Sequence, residues 1–194
     1  LTLSPGVLVY GGGDGVSSGI TIRGVVSPGE LIEPGNAVYV DEIYVSGMRT
    51  VLPGFYDIES VQVLKGPQAG LYGRNTVGGA VLITTGQPTE ELFARIDASY
   101  AEFDAKNING TVNVPLTDAV RLRATGWYDD RDGGYYQDDV VDRNLDAANE
   151  RGGRITLAAL PGENMAFTLA GELSKMEQPG FNGFNGVVEG AKLG

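Results

Sequence analysis

The residues able to do chemistry in this chain are few in kind. Its 194 residues include no histidine and no cysteine. That removes Ser-His-Asp arrangements, thiol nucleophiles, Cys/His zinc sites and disulfides, leaving carboxylates, Tyr, Lys and Ser/Thr hydroxyls. Glu90 and Glu91 are sequence neighbours, and on an extended chain their side chains point apart, so paired acid–base work has no support. The stretch from Asp129 to Glu150 collects Asp130, Asp132, Asp138, Asp139, Asp142 and Asp146 as well. Hard oxygens in such number could hold calcium. With Gly133 set at the sixth position of an EF-hand loop, Asp130 and Asp132 fit the third and fifth, but Tyr128 falls where the first Asp is required. The stretch reads as a solvated loop. No metal, no cofactor and no enzymatic activity is expected.

The Gly-rich run GPQAGLYGRNTVGG, Gly66 to Gly79, could instead cradle a phosphate. It lacks the Gly-Lys-Ser/Thr ending of a P-loop and the spacing of a dinucleotide fold, and Gly11–Gly15 fits only a turn. The formal net charge of −11 disfavours nucleic acid as a partner. The physical role inferred for Gly70, Gly73, Gly78 and Gly79 is close packing: tight turns and near approach of backbone.

The elements around this run fall into two textures. Up to Gly86 the pattern is that of a small mixed α+β unit. Strands are predicted at Ile20–Val26, Ala37–Val45 with a turn near Asp41 and Glu42, Val61–Leu64 and Ala80–Thr85. Pro67 suits the first turn of a short helix. From Leu92 the chain alternates. Leu92, Ala94, Ile96, Ala98 and Tyr100 share one face, against Phe93, Arg95, Asp97 and Ser99. Ile108, Gly110, Val112 and Val114 oppose Asn107, Asn109, Thr111 and Asn113. Val120, Leu122, Ala124, Gly126 and Tyr128 oppose Arg121, Arg123, Thr125 and Trp127. Arg154–Leu160 and Met165–Leu173 continue the pattern, one face apolar and the other polar.

Short links at Pro115–Asp118 and Pro161–Asn164 alternate with longer ones at Glu102–Lys106 and Asp130–Gly153. Short turns at one end and long loops at the other mark an outer-membrane barrel, with Tyr100 and Tyr128 placed for an interfacial aromatic girdle. A water-soluble antiparallel sandwich also alternates. The alternative reading is therefore a secreted acidic β-sandwich that binds calcium or glycans. No run of eighteen apolar residues and no leader is visible, and the chain reads as a piece of a longer protein.

Taken together, ITIRG at Ile20–Gly24, AVYVDEIYV at Ala37–Val45, DIESVQVLKGPQAGLYGRNTVGGAVLITT at Asp57–Thr85 and the strands from Leu92 resemble the TonB-dependent outer-membrane receptors. The resemblance runs from Leu1 to about Leu173. It implies an α+β plug over residues 1–86, truncated at its N-terminus, and over 87–194 the start of an antiparallel transmembrane β-barrel, about five strands of an incomplete barrel. It implies ligand-gated, energised uptake of a scarce nutrient such as siderophore-iron. The implied partners are the TonB complex of the inner membrane, through a segment ahead of Leu1, outer-membrane lipid and a small-molecule ligand such as a siderophore. It implies structural and gating roles in the plug for Arg23, Lys65, Gly66, Pro67, Gly70, Tyr72, Gly73, Arg74, Gly78 and Gly79. By the same resemblance Arg23, Lys65 and Arg74 are expected to pair with barrel carboxylates on strands that this chain does not include. Lys65 departs from the family's frequent Arg, keeping the charge without the planar fork. Tyr135, Tyr136, Phe181 and Phe184 are candidates for contacting ligand from outside.

Overall fold

A computed structural model describes residues 4–10, 19–26, 35–45, 56–133, 137–138, 143–144, 147–162 and 165–177. The candidate ligand residues Tyr135, Tyr136, Phe181 and Phe184 lie outside these.

The first unit holds two small sheets. β1 (Val7–Tyr10), β2 (Gly19–Ile22) and β3 (Val25–Val26) form an antiparallel three-stranded sheet. β4 (Asn36–Val40), β5 (Ile43–Val45), β6 (Ile58–Lys65) and β7 (Gly79–Thr85) form a four-stranded sheet in the order β5-β4-β7-β6, with β4 and β7 parallel. Period-2 alternation puts Val38, Val81 and Ile83 on the face covered by the first sheet. There they meet Val7, Ile20 and Ile22 in one buried cluster. The opposite face carries Tyr39, Gln62, Leu82 and Thr84.

The single strand expected at Ile20–Val26 is a hairpin. Arg23 and Gly24 sit at its two-residue turn with φ of 51° and 81°, the left-handed pair that matches strand twist. Arg23 is therefore a turn residue and not part of a β run. β4 and β5 are joined in the same way through Asp41 and Glu42, at φ 46° and 68°. Asp41 repays that strain by accepting from the Thr85 amide at 2.8 Å and the Thr85 hydroxyl at 2.7 Å, which ties the turn to the end of β7.

The Gly66–Gly79 run is a closed loop. The Gly66 amide donates to the Gly78 carbonyl at 2.8 Å and the Gln68 amide to Thr76 at 3.1 Å. Inside it α1 (Ala69–Tyr72) makes a single turn capped at Gln68, so Pro67 stands before the helix and not in its first turn. Close packing holds for part of the run. A Cβ on Gly78 would overlap Asn36 and Val25, and one on Gly79 would overlap the Leu64 carbonyl. These two glycines pack against their own unit. Gly70, by contrast, has open space around it.

The second unit is a five-stranded antiparallel sheet, ordered β14-β13-β10-β9-β8 and open at both edges among the described residues. It comprises β8 (Phe93–Ala101), β9 (Ala105–Thr117), β10 (Val120–Arg131), β13 (Ala148–Gly162) and β14 (Met165–Glu177). Between β10 and β13 stands a small ribbon, β11 (Gln137–Asp138) with β12 (Arg143–Asn144). Two connections differ from expectation. β8 and β9 are linked by the tight turn at 102–104, with Phe103 and Asp104 in the left-handed region. β9 also runs on through Pro115 to Thr117, and the register shift beside Val120 and Arg121 absorbs the proline, which cannot donate to a ladder.

The alternation places the faces as read. Ile96, Tyr100, Ile155, Phe167, Leu169 and Leu173 are exposed on one side, while Asn113, Thr125, Trp127 and Thr156 are buried on the other. A water-soluble sandwich would bury the apolar face, and here it is the face turned outward.

Open space at one glycine and overlap at another give a paired expectation. Gly78→Ala should cost roughly 1–3 kcal/mol through overpacking. Gly70→Ala in α1 should be neutral or stabilise by about 0.5–1 kcal/mol, as Ala is the better helix former. Denaturant midpoints measure both, and an unchanged midpoint for Gly78→Ala would contradict this packing.

Candidate functional site: the contact between the α+β unit and the strand wall

The first unit sits against the middle of the sheet's polar face, where Asn113, Thr125, Trp127 and Thr156 are buried, and the contact centres on two adjacent residues, Tyr56 and Asp57. Asp57 adopts φ 60°, which turns its carboxylate out of the start of β6 towards β10. There Arg123 meets it with both ends of its fork. Nε donates to Oδ2 at 2.7 Å and Nη2 donates to Oδ1. Thr125 Oγ1 donates to the same carboxylate at 2.9 Å, and Arg123 Nη1 donates to the Gln87 carbonyl at 3.2 Å. The two charged side chains are only 14% and 11% exposed. Arg123 also lies over the Phe93 ring, 5.0 Å from its centroid. Gly86 follows the close approach: its amide donates to the Asp57 carbonyl at 2.8 Å, and a Cβ there would run into the guanidinium.

One layer along the strands, Tyr56 stacks on Trp127 with centroids 5.3 Å apart and planes at 19°. Gly152, the register partner of Trp127 on β13, leaves room for the indole, where a Cβ would overlap it. Trp127 Nε1 donates to Glu150 at 3.0 Å. Asn107 Nδ2 donates to Asp129 at 2.9 Å and to the Tyr56 hydroxyl oxygen at 3.2 Å. Burial, then the nearby Asp129 and Glu150 carboxylates, push the Tyr56 hydroxyl up to about 12, so it is a neutral donor at any physiological pH.

The segment joining the two units is bound to the same wall. Asn113, fully buried on β9, accepts from the Thr89 amide at 2.9 Å and donates to the carbonyls of Thr89 at 3.0 Å and Glu91 at 2.6 Å. Its amide thus acts as a short piece of ladder. Arg121 adds an ion pair to Glu90.

Contact is not continuous. Between the second face of the four-stranded sheet and strands β13 and β14 lies a cavity of about 850 Å³, lined by Tyr39, Gln62, Thr84, Thr156 and Thr168 among others. Tyr39 packs on Tyr44 and Tyr72 at its edge and donates to the Tyr72 carbonyl.

The residues singled out from sequence surround this site but do not form it. Lys65 Nζ donates to the Pro5 carbonyl at 2.7 Å, inside its own unit. Arg23 turns the β2–β3 hairpin, its amide bonded to Gly6 at 2.8 Å. Gly66, Gly73, Gly78 and Tyr72 serve the closed loop, and Arg74 and Gly70 lie on it. The unit-to-wall ion pair described here puts the carboxylate on the first unit and the guanidinium on the wall. Two sequence features bear on it without identifying the partner. Arg123 stands on a polar face that must find a counter-charge, and Asp57 opens the most specific motif.

A bidentate pair this buried predicts an asymmetry. Arg123→Met alone should weaken docking by ~3–5 kcal/mol, because it leaves a buried carboxylate uncompensated, while Arg123→Met with Asp57→Leu should recover most of that loss. Protease sensitivity of the docked unit measures both, and a double variant as loose as the single contradicts the reading. pH supplies a second expectation. Burial raises the Asp57 carboxyl, but the hydrogen bonds from Arg123 and Thr125 and the Arg123 charge outweigh it and hold the group below the ordinary 3.8. With its value depressed in the docked state, the carboxylate contributes fully above 3.8 and loses that contribution as pH falls further. Docking should thus be insensitive to pH between 7 and 5 and should loosen below about 3.8. Asp57→Asn should remove this acid-dependent component in the same protease assay.

The comparisons with known proteins agree with this geometry. The family model of the TonB-dependent receptor plug domain matches residues 1–80. The chain is 26% identical over 193 residues to the pesticin receptor of Yersinia pestis, covering 97% of this chain and 28% of that protein. It is 30% identical over 159 residues to the iron-regulated outer membrane virulence protein of Vibrio cholerae, covering 73% and 23%. Among solved structures, the ferric yersiniabactin uptake receptor FyuA from Yersinia pestis matches with a TM-score of 0.76 at 24% identity, over 89% of this chain and 28% of that one. The pyoverdine outer membrane receptor FpvA from Pseudomonas aeruginosa, bound to pyoverdine, matches with a TM-score of 0.68 at 19% identity, over 88% and 23%. Both show the fold. The chain spans about a quarter of the length of the curated relatives it matches. With an α+β unit seated by Tyr56 and Asp57 on the polar side of antiparallel strands whose apolar side is exposed, the chain is similar throughout to TonB-dependent receptors of the bacterial outer membrane, and its residues 1–80 carry the plug domain of that family.

Proposed function

We propose that residues 1–86 are the plug and residues 87–194 the first part of the barrel of a receptor that takes up a scarce nutrient across the outer membrane. The cargo proposed is a siderophore-iron complex or a solute of that kind, and the energy is proposed to come from the TonB complex of the inner membrane. The observation that carries this reading is the plug latch. Asp57 is held by Arg123 and Thr125, and Tyr56 by Trp127, on a wall whose other face suits lipid. A latch made of a few specific contacts, beside a cavity of about 850 Å³, suits a plug that stays docked at rest and shifts under load. Ligand can bias such a two-state element only by binding one state better than the other. The relatives support the choice of cargo, since two of them are named for ferric yersiniabactin uptake and for pyoverdine. No catalytic role is assigned to any residue. The roles proposed for Arg23, Lys65, Arg74 and the loop of Gly66, Pro67, Gly70, Tyr72, Gly73, Gly78 and Gly79 are to keep the plug a single rigid body while the latch releases.

The test is uptake of radiolabelled iron carried by a panel of ferric siderophores, in iron-starved cells whose only such receptor carries this chain. At least one chelate should accumulate, and accumulation should cease when TonB is deleted or the proton gradient is collapsed. Entry that persists without TonB would overturn the proposal.

A further inference from the structure

The lipid-facing side of the wall carries a groove. Gly110, Gly126 and Gly153 stand directly across from one another on β9, β10 and β13. The row is closed by Ile96 on β8 and Leu173 on β14, which are 78% and 85% exposed. With Ile155 from the next row they bound an apolar hollow of about 890 Å³. The protein's own packing does not require glycine at two of these positions. A Cβ on Gly126 would meet nothing nearer than 3.8 Å, and one on Gly110 nothing nearer than 3.5 Å. Neither has a left-handed φ. Glycine inside a strand is destabilising, and with no bulge in the register here, open space above it leaves room for the close approach of something from outside.

The charges beside the groove say what that is. Two residues along the strands towards the long connection, a step of about 7 Å, the same face presents Tyr128, Arg151 and Lys175 in one row. From this row down to Val120 there are eight residues of β10, about 20 Å along the membrane normal at a strand tilt near 40°, close to the height of a barrel's apolar band. The row therefore lies at headgroup level on the long-loop side, which in this architecture is the outer leaflet. Arg151 and Lys175 are both exposed. Lys175 is paired with Glu177 at 2.5 Å, but both side chains are more than half exposed, and such a pair is readily exchanged for a stronger acceptor.

We propose that this groove and the basic pair form a binding site for a phosphate-bearing lipid of the outer leaflet, with an acyl chain lying over Gly126 and the phosphate held by Arg151 and Lys175. The two halves of the site are complementary to the two halves of such a lipid, and the spacing between them is one ladder step.

Native mass spectrometry of the receptor carrying this chain, released into mild detergent, tests the site with bis-phosphorylated lipid A as probe and phosphatidylethanolamine as the zwitterionic comparison. The unaltered receptor should retain one lipid A. Arg151→Gln with Lys175→Gln should lower that occupancy at least tenfold. Gly126→Leu, which fills the groove and leaves the charges in place, should lower it similarly, and Gly110→Val provides a second filling variant should Gly126→Leu fail to fold. Heat-modifiable migration on a gel identifies the folded variants. Equal retention of phosphatidylethanolamine, variants that hold lipid A as the parent does, or a second copy of the receptor occupying this face would each overturn the proposal.

Discussion

The joint between the two halves of this chain centres on one buried ion pair. Arg123 on the wall faces Asp57 on the plug, and removing either would leave the other as an uncompensated buried charge. The geometry is demanding. Asp57 takes a left-handed backbone conformation, Gly86 leaves space for the guanidinium, and Thr125 fills a further lone pair of the carboxylate. Around the pair the contacts become softer. Tyr56 on Trp127 supplies area, while Asn107, Asp129 and Glu150 take up the remaining polar groups. A joint with one strong polar centre and an aromatic flank is firm at rest and has few contacts to break at once.

The plug, in contrast, is held together by apolar burial and by turns. Its core of Val7, Ile20, Ile22, Val38, Val81 and Ile83 lies between two small sheets. The closed loop from Gly66 to Gly78 secures the crossing from β6 to β7. Asp41 and Lys65 each tie a distant segment to this body, through Thr85 and Pro5. The mechanical contrast follows from the chemistry. Inside the plug, contacts are numerous and non-directional. At the wall they are few and directional, and next to them lies a cavity lined by Thr84, Thr156 and Thr168 together with Leu82 and Ile83.

Much of the architecture was legible because strand periodicity leaves no freedom in which face a residue joins. Once Leu92–Tyr100 and Val120–Tyr128 alternate, the apolar and polar sides of the wall are assigned, and the observed exposures of Ile96, Tyr100 and Trp127 follow. Connections were less legible. Pro115 reads as a turn residue, yet β9 carries it in a bulge. The link at Glu102–Lys106 reads as long but closes tightly at 102–104 because Phe103 and Asp104 accept left-handed backbone. Arg23 reads as part of a strand because Ile20–Val26 is β-rich throughout, and only pairing of Ile22 with Val25 reveals the turn.

The sequence by itself determined the family, the two textures of the chain, the faces of the wall strands and the absence of histidine and cysteine chemistry. These rest on local pattern and composition, which need no knowledge of distant neighbours. Which charges meet was decided by tertiary structure alone. Asp57 and Arg123 are 66 residues apart, and nothing local distinguishes that pair from Lys65 or Arg23 with some other partner. The choice is made when the residue ahead of β6 is brought against β10, because there the carboxylate and the guanidinium lose their water together and each compensates the other's charge.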